Sequence, residues 1–339
     1  MEPFLYKRPQ NAESAVRDAA GSRQGVPSAQ AAQQFIAGGT NMTDYMKLNV
    51  MRPEVLVDIN RLSDAEYGKI EATDRGLRIG ALVRMSEAED HPVIKSLYPV
   101  IHDTLKLAAS RQIRNMASLG GNVLQRTRCE YFREVSWPCN KRNPGSGCSA
   151  LDGVNRAHAV LGTSAHCIAT YPGDFAIALI ALDATVETVG PRGRRTIRFA
   201  DLHVRPRTQP NIETILEPGE LITFYTVPAG GWTQRSRYLK IRDRDSYQFA
   251  LASAAVGLDL QGDIVREVRI ALGGVATVPW RAEKAEASLK GQTLTEETAS
   301  KAAELAFEGA ATREHNAFKV PLGKQTIVRA LLEAKAMRI

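Results

Sequence analysis

All four cysteines of the chain fall within one stretch, as Cys129, Cys139, Cys148 and Cys167 with the spacing C-x9-C-x8-C-x18-C. Four thiolates can hold one iron–sulfur cluster. The spacing is too loose for a zinc finger or ribbon, and the C-x-x-C pair of thioredoxins is absent. Around the thiols stand Arg126, Arg128, Asn140, Lys141, Arg142, Pro144, Gly145 and Gly147, a polar setting unlike that of packed core atoms. Cationic neighbours favour the thiolate that a metal needs. Two structural disulfides, four unrelated thiols or a zinc ion fit the spacing as well, so cysteine arithmetic alone leaves the choice open.

The second chemistry is carried by glycine. Phe35-Ile36-Ala37-Gly38-Gly39-Thr40-Asn41 and, just before the cysteines, Ser118-Leu119-Gly120-Gly121-Asn122 are both glycine-pair loops followed by potential hydrogen-bond donors. Without a Cβ, backbone amides can approach an anionic diphosphate and positive φ is available. Taken singly each loop fits a plain tight turn, but two of them can grip one diphosphate from two sides. Neither G-x-G-x-x-G after a strand nor the Walker G-x-x-x-x-G-K-[ST] is present, which argues against a Rossmann dinucleotide site and a P-loop.

The elements that must position these loops follow from periodicity. A short strand near 4–6, a helix over 11–20, a buried strand over 34–37, a helical stretch over 42–48 and a strand over 55–59 make residues 1–60 an α/β unit in which strand, glycine turn, helix and strand follow one another. Strands are expected at 70–72 and 77–81, one long helix over 94–109, and further strands at 184–189 and 222–227. The stretch 123–168 has few apolar periods and many turn residues, and reads as an insertion held by a cofactor within a second unit, 61–228. A third unit, 229–339, has strand-like runs at 237–241, 249–260 and 268–272 and helices over 280–289, 296–309 and 325–336.

The chain has 339 residues, is 44% hydrophobic and carries a net charge of +7. It is long enough for several units with their own cores. Its basic residues are scattered among acidic ones and aromatics are only 6%, so the charge reads as a solvated or docking face and not as a nucleic-acid site. The start at Met1-Glu2-Pro3-Phe4 offers no apolar signal segment, and the run from Phe175 to Leu182 is too short to span a bilayer.

Four ordered motifs now combine: the two glycine loops, the second extended back through Arg114-Asn115-Met116-Ala117, then Tyr171-Pro172-Gly173-Asp174, and Ala271-Leu272-Gly273-Gly274-Val275 with Pro279-Trp280-Arg281-Ala282. Together they resemble the flavin subunit of the xanthine dehydrogenase and aldehyde oxidase family of molybdenum hydroxylases, over nearly the whole chain. The cysteine stretch resembles, more narrowly, the branch of periplasmic bacterial aldehyde oxidoreductases whose FAD subunit binds an extra [4Fe-4S] cluster in an insertion. The resemblance implies an α+β fold: an FAD-binding domain of the p-cresol methylhydroxylase or vanillyl-alcohol oxidase (PCMH/VAO) type in two α/β subdomains, followed by a domain like the C-terminal one of the carbon monoxide dehydrogenase flavoprotein.

It further implies that Phe35, Ile36, Ala37, Gly38, Gly39, Thr40 and Asn41, with Ser118, Gly121 and Asn122, hold FAD. Asp174 would accept from its hydroxyls, and Lys240 would lie near the isoalloxazine ring. The bland alternatives are a helix N-cap for Asp174 and a surface strand residue for Lys240. Gly173 departs from the family, where a Ser is usual. Cys129, Cys139, Cys148 and Cys167 would ligate the cluster, with His166 as a substitute for the outlying Cys167. No His or Cys lies in either glycine loop, so non-covalent FAD is expected. With no cysteine left over for [2Fe-2S] centres and no molybdopterin signature, substrate oxidation is expected on a molybdenum-cofactor large subunit, with a [2Fe-2S] small subunit between and an external electron acceptor beyond. A xanthine or N-heterocycle dehydrogenase subunit, a self-contained flavin oxidase of the same fold or a mere cluster-binding module is the competing reading. Periplasmic location by co-export with a partner is the expectation that the resemblance carries, against a cytoplasmic alternative.

Overall fold

The computed structural model describes residues 1–21 and 26–339. Its strands are β1 (Leu5–Lys7), β2 (Gln33–Ile36), β3 (Val55–Asp58), β4 (Ile70–Thr73), β5 (Gly76–Gly80), β6 (Thr185–Gly190), β7 (Gly193–Arg198), β8 (Leu221–Pro228), β9 (Ser236–Ile241), β10 (Ala252–Gln261), β11 (Ile264–Gly273) and β12 (Trp280–Arg281). They form three sheets in chain order: a three-stranded one with order β1-β3-β2, a five-stranded one with order β4-β5-β8-β6-β7, and a four-stranded one with order β12-β11-β10-β9.

The first sheet is parallel, so each strand must return through a crossover. One crossover is the helix Ala12–Ala20, which Asn11 and Ser14 start with a reciprocal capping box and which buries Ala12, Ala15, Val16 and Ala19. The other leaves β2 through Gly38-Gly39 and returns through the helix Met42–Lys47, so the parallel pairing itself places the glycine turn at the carboxyl end of a strand.

The second sheet is antiparallel, and its central strand β8 is covered on both faces. Ile222, Tyr225 and Val227 join the large core with Phe175, Ile177 and Leu179 of the helix Phe175–Ala181. Leu221 and Phe224 instead join a smaller core with Val16, Val57 and Ile59 of the first unit. Each such side chain contributes about 1.5–3 kcal/mol on burial. The third sheet is built on the β10–β11 hairpin, turned at Gly262 with φ +59°. The helices Glu283–Leu289, Glu296–Ala306 and Lys319–Lys335 contribute Ala285, Ala302, Ile327 and Leu331 to the core beneath it.

The single helix expected over 94–109 is two, Pro92–Leu97 and Pro99–Lys106, because Pro99 lacks an amide hydrogen and holds Tyr98 at φ −137°, ψ 55°. Trp280 and Arg281 pair with β11, and the helix there begins only at Glu283. The last helix starts earlier than expected, at Lys319, since Pro321 falls in the first turn where a missing N–H costs nothing. Strand β7 was not anticipated. Of Gly193–Arg198 only Ile197 is buried, as befits a charged edge strand.

Candidate functional site

A cleft of about 1250 Å³, its open mouth included, lies between the first and second sheets. Phe35, Ile36, Ala37, Gly38, Gly39, Thr40 and Asn41 line one side of it and Ser118, Gly120 and Gly121 another. Further lining comes from Glu213, Thr214, Leu216, Glu217 and Gly219 to Ile222, which lead into and begin β8, and from Tyr45 and Arg126.

The two glycine loops are fastened to each other. A Cβ on Gly38 would stand 1.8 Å from the Met116 carbonyl oxygen, so only glycine lets the loops meet. Arg84 spans the junction, donating to that carbonyl at 2.6 Å and to Asn60 Oδ1 at 2.9 Å, while Asn60 Nδ2 donates to the Ala37 carbonyl at 3.0 Å. Asn41 Nδ2 donates to the Gly121 carbonyl at 3.4 Å. At Gly39 the requirement is conformational: φ is +75°, and a Cβ would meet only ordinary contacts with Thr43 and Ile36.

What the cleft offers a ligand is backbone. Among the described residues, the N–H groups of Gly38, Gly39, Thr40 and Asn41 donate to nothing within the chain. Successive free amides at a positive-φ glycine form an anion-binding concavity. Asn122 is not among the lining residues, and its buried Oδ1 has no partner among the described residues. Among the described residues the one cation on the wall is Arg126, and it is already committed: Nε and Nη2 donate to Glu213 at 3.2 and 3.0 Å. Burial would raise the Glu213 carboxyl, but Arg126 and Lys141 outweigh it and hold it at about 2.

Asp174 and Lys240 are brought together, and neither is among the cleft-lining residues. Lys240 Nζ donates to Asp174 Oδ2 at 2.7 Å and to the Leu107 carbonyl at 3.1 Å, and Tyr238 Oη donates to Asp174 Oδ1 at 2.5 Å. Asp174 does not cap the helix that follows, and Lys240 is buried rather than a surface residue. The glycine at 173 has a local cause, since a Cβ there would stand 2.5 Å from Tyr171 Oη, which itself donates to the Val123 carbonyl.

The cysteine stretch packs against the back of this cleft. Cys139 and Cys129 lie with Phe132 on Tyr45, Val50 and Met51, and of these Tyr45 and Met51 also line the cleft. Arg128 donates to Asp44 at 3.0 Å and to Asn41 at 3.3 Å, and Arg133 donates to both oxygens of Asp44. All four thiols are free, and Cys139 and Cys148 face each other in an isolated bridge. Among the described residues no three His, Cys, Asp or Glu side chains are gathered tightly enough for a single metal ion.

Burial works against ionisation at Cys129, Cys148 and Cys167, and their cationic neighbours do not offset it. Burial pushes Cys129 up to about 12, with Cys139, Cys167 and Cys148 raising it further, and burial pushes Cys167 up to about 11 despite Lys141. The cations are spent elsewhere: Arg126 and Lys141 on Glu213, Arg128 and Arg133 on Asp44, and Arg142 on the carbonyls of Tyr131, Phe132 and Val135. A bound metal would itself have to supply the charge that ionises them. Cys167 is buried while His166 is exposed, so the cysteine and not the histidine joins the group. His158, which the spacing does not single out, is buried with Nε2 3.1 Å from Cys129 Sγ.

The insertion is also held by protein. Val160 and Leu161 both donate to the Val275 carbonyl, Asn316 donates to the Ala159 carbonyl, and the buried Lys319 Nζ donates to the carbonyls of Ala157 and Gly274.

Comparison with known proteins places this geometry. The model of the FAD-binding domain in molybdopterin dehydrogenase matches residues 3–230, and that of the carbon monoxide dehydrogenase flavoprotein C-terminal domain matches residues 237–334. The chain therefore belongs to the FAD-binding subunits of the molybdenum-containing oxidoreductases. Within that class it is 46% identical, over 99% of both chains, to the aldehyde oxidoreductase FAD-binding subunit PaoB of Escherichia coli. It is 27% identical to the carbon monoxide dehydrogenase medium chain of Hydrogenophaga pseudoflava, over 89% of each. The solved structure of that bacterium's carbon monoxide dehydrogenase lacking the Mo-pyranopterin moiety superposes with a TM-score of 0.74 at 26% identity, over 99% of each chain.

Proposed function

We propose that this chain is the FAD and [4Fe-4S] electron-transfer subunit of a molybdenum-dependent aldehyde oxidoreductase. The observation that carries the flavin part is the row of free amides from Gly38 to Asn41 facing the second glycine loop across the cleft. Gly38, Gly39 and Ser118 to Gly121 would hold the diphosphate, and a flavin bound there supplies exchange between paired and single electrons. Asp174 and Lys240 retain their expected roles toward flavin hydroxyls and ring as part of the proposal. The buried ammonium beside a carboxylate fixes a local charge without solvent.

Cys129, Cys139, Cys148 and Cys167 would bind the cluster. Four free thiols in one stretch, none of them committed to a disulfide, match the number of ligands that a four-iron centre takes. Tyr45 and Met51 both line the cleft and pack with Cys129 and Cys139, and that nearness favours exchange of electrons between the two sites. Full-length similarity to an aldehyde oxidoreductase subunit supports aldehydes as substrates, aromatic ones by the family resemblance. The oxidation to carboxylic acid would occur at the molybdenum cofactor of a large subunit, electrons would cross the [2Fe-2S] centres of a small one, and an external acceptor would take them from this chain.

Purification under anaerobic conditions tests this reading. A molybdenum-containing chain and a [2Fe-2S] chain should co-purify, and an aromatic aldehyde should bleach the flavin. A complex that turns over aldehyde while its flavin stays oxidised would overturn it. We further propose periplasmic location by export with a partner. Cell fractionation should find the chain there only when the small subunit is present, and cytoplasmic location in both cases would contradict it.

A further inference from the structure

Beside the four thiols stands a polar group that the ligand set does not use. His158 is 5% exposed, and its backbone amide is fixed by a hydrogen bond to the Asn155 carbonyl at 2.9 Å. Its Nε2 lies 3.1 Å from Cys129 Sγ, and its ring is tilted against Tyr131 at 6.2 Å between centroids. Among the described residues its buried Nδ1 has no partner. A proton on Nδ1 would be a buried N–H with no acceptor, the costlier defect, whereas a bare lone pair there costs less. The proton therefore belongs on Nε2, where the sulfur can accept it. The neighbouring titratable group is Lys319, whose Nζ donates to the carbonyls of Ala157 and Gly274.

We propose that His158 is a positioning and tuning residue of the cluster, its Nε2–H donating to the sulfur of Cys129. The four cysteines complete the iron ligation, so the imidazole is no ligand. A hydrogen bond to a ligating sulfur withdraws electron density from it and stabilises the centre with one more electron, which raises the reduction potential. The inference rests on the cluster reading given above.

The test is a redox titration of the full chain with its partners, following the four-iron signal by electron paramagnetic resonance. In His158→Phe the ring remains and the donor is lost. At the midpoint potential of the unsubstituted protein, the ratio of reduced to oxidised cluster should fall about tenfold, equal to about 59 mV for a one-electron couple. His158→Gln, whose amide N–H reaches nearly the same point, should recover most of that shift. An intact cluster with unchanged potential in His158→Phe, or equal shifts in both variants, would overturn the proposal. Should His158→Phe fail to take up iron, the unsubstituted chain labelled with ¹⁵N-histidine decides. A weak nitrogen coupling to the reduced cluster supports the hydrogen bond, and either no coupling or the large coupling of a bound nitrogen overturns it. If the unsubstituted chain holds no four-iron centre, the cluster reading falls and this inference with it, whereas an unmoved potential fells this inference alone.

Discussion

The flavin cleft and the cysteine group lie back to back on the helix Met42–Lys47, yet they are made in opposite ways. The cleft is a product of sheet topology: parallel pairing places Gly38 and Gly39 at a strand end, Gly38 touches Met116, and the donors are backbone amides that every folded copy presents. The cysteine group sits in a stretch with the short helix Glu130–Arg133, and burial pushes its Cys129 and Cys167 thiols up. A site built from backbone exists before its ligand, while a site built from buried thiols is completed by it. The ties of Arg128 and Arg133 to Asp44, and of Arg128 to Asn41, join the two.

The sharpest break in this comparison is removal of one ligand. Cys167→Ser should lower iron from about four per chain to near zero, and proteolysis should then cut the turn-rich stretch 140–147 first. The same protein should still bind FAD. Concerted loss of FAD and of native circular dichroism would show that the cleft is not independent.

Next is Gly38→Val, the reciprocal case. Its side chain would collide with the Met116 carbonyl, so flavin content should fall at least about tenfold while iron is kept. Gly39→Ala should be milder, at about 1–3 kcal/mol, because it strains only the backbone. Equal flavin loss in the two variants would refute the distinction between a steric and a conformational glycine.

Asp174→Asn leaves the Lys240 ammonium buried without its carboxylate. Denaturant unfolding should register a loss of about 3–5 kcal/mol. A smaller change would mean that the pair is wetter than its burial suggests.

The smallest effect expected is one of pH. Glu213 has a folded-state pKa of about 2, below the ordinary 4.5, because Arg126 and Lys141 hold its charge against the cost of burial. Depression of a carboxyl pKa gives stability that is fully present above the unfolded value and is lost as pH falls from about 4.5 toward 2. Glu213→Gln should flatten the stability profile in that window and leave it unchanged at neutral pH apart from a constant offset. A profile identical in shape to that of the unsubstituted chain would remove Glu213 from the account.

How much was legible in advance divides along the same line. The glycine loops could be read from residue order, since Gly-Gly after an apolar strand permits few backbones, and the structure sets every residue from Phe35 to Asn41 on the cleft wall. The lining residues between Glu213 and Ile222 could not be read, because they lead into and begin β8, which pairs between β5 and β6. The pull of burial on Cys129 and Cys167 is not legible in the sequence for a related reason. Arginines near Cys129 in sequence spend their charge on Asp44 and Glu213, which are distant in sequence. His158 escaped notice because nothing in the order of residues marks the fold that carries it to Cys129. Local chemistry is written in local sequence, and partners that meet through tertiary pairing are not.

The central claim is that one chain holds a flavin in a preformed cleft and a four-iron centre in a ligand-completed one. Mössbauer spectroscopy of the ⁵⁷Fe-enriched chain produced without partners, with flavin released by acid and counted on the same sample, tests it most directly. The account predicts about one acid-released FAD and about four irons per chain in a single cubane centre. Zinc in place of iron, two disulfides among the four cysteines, or flavin that stays with the precipitated protein would contradict it.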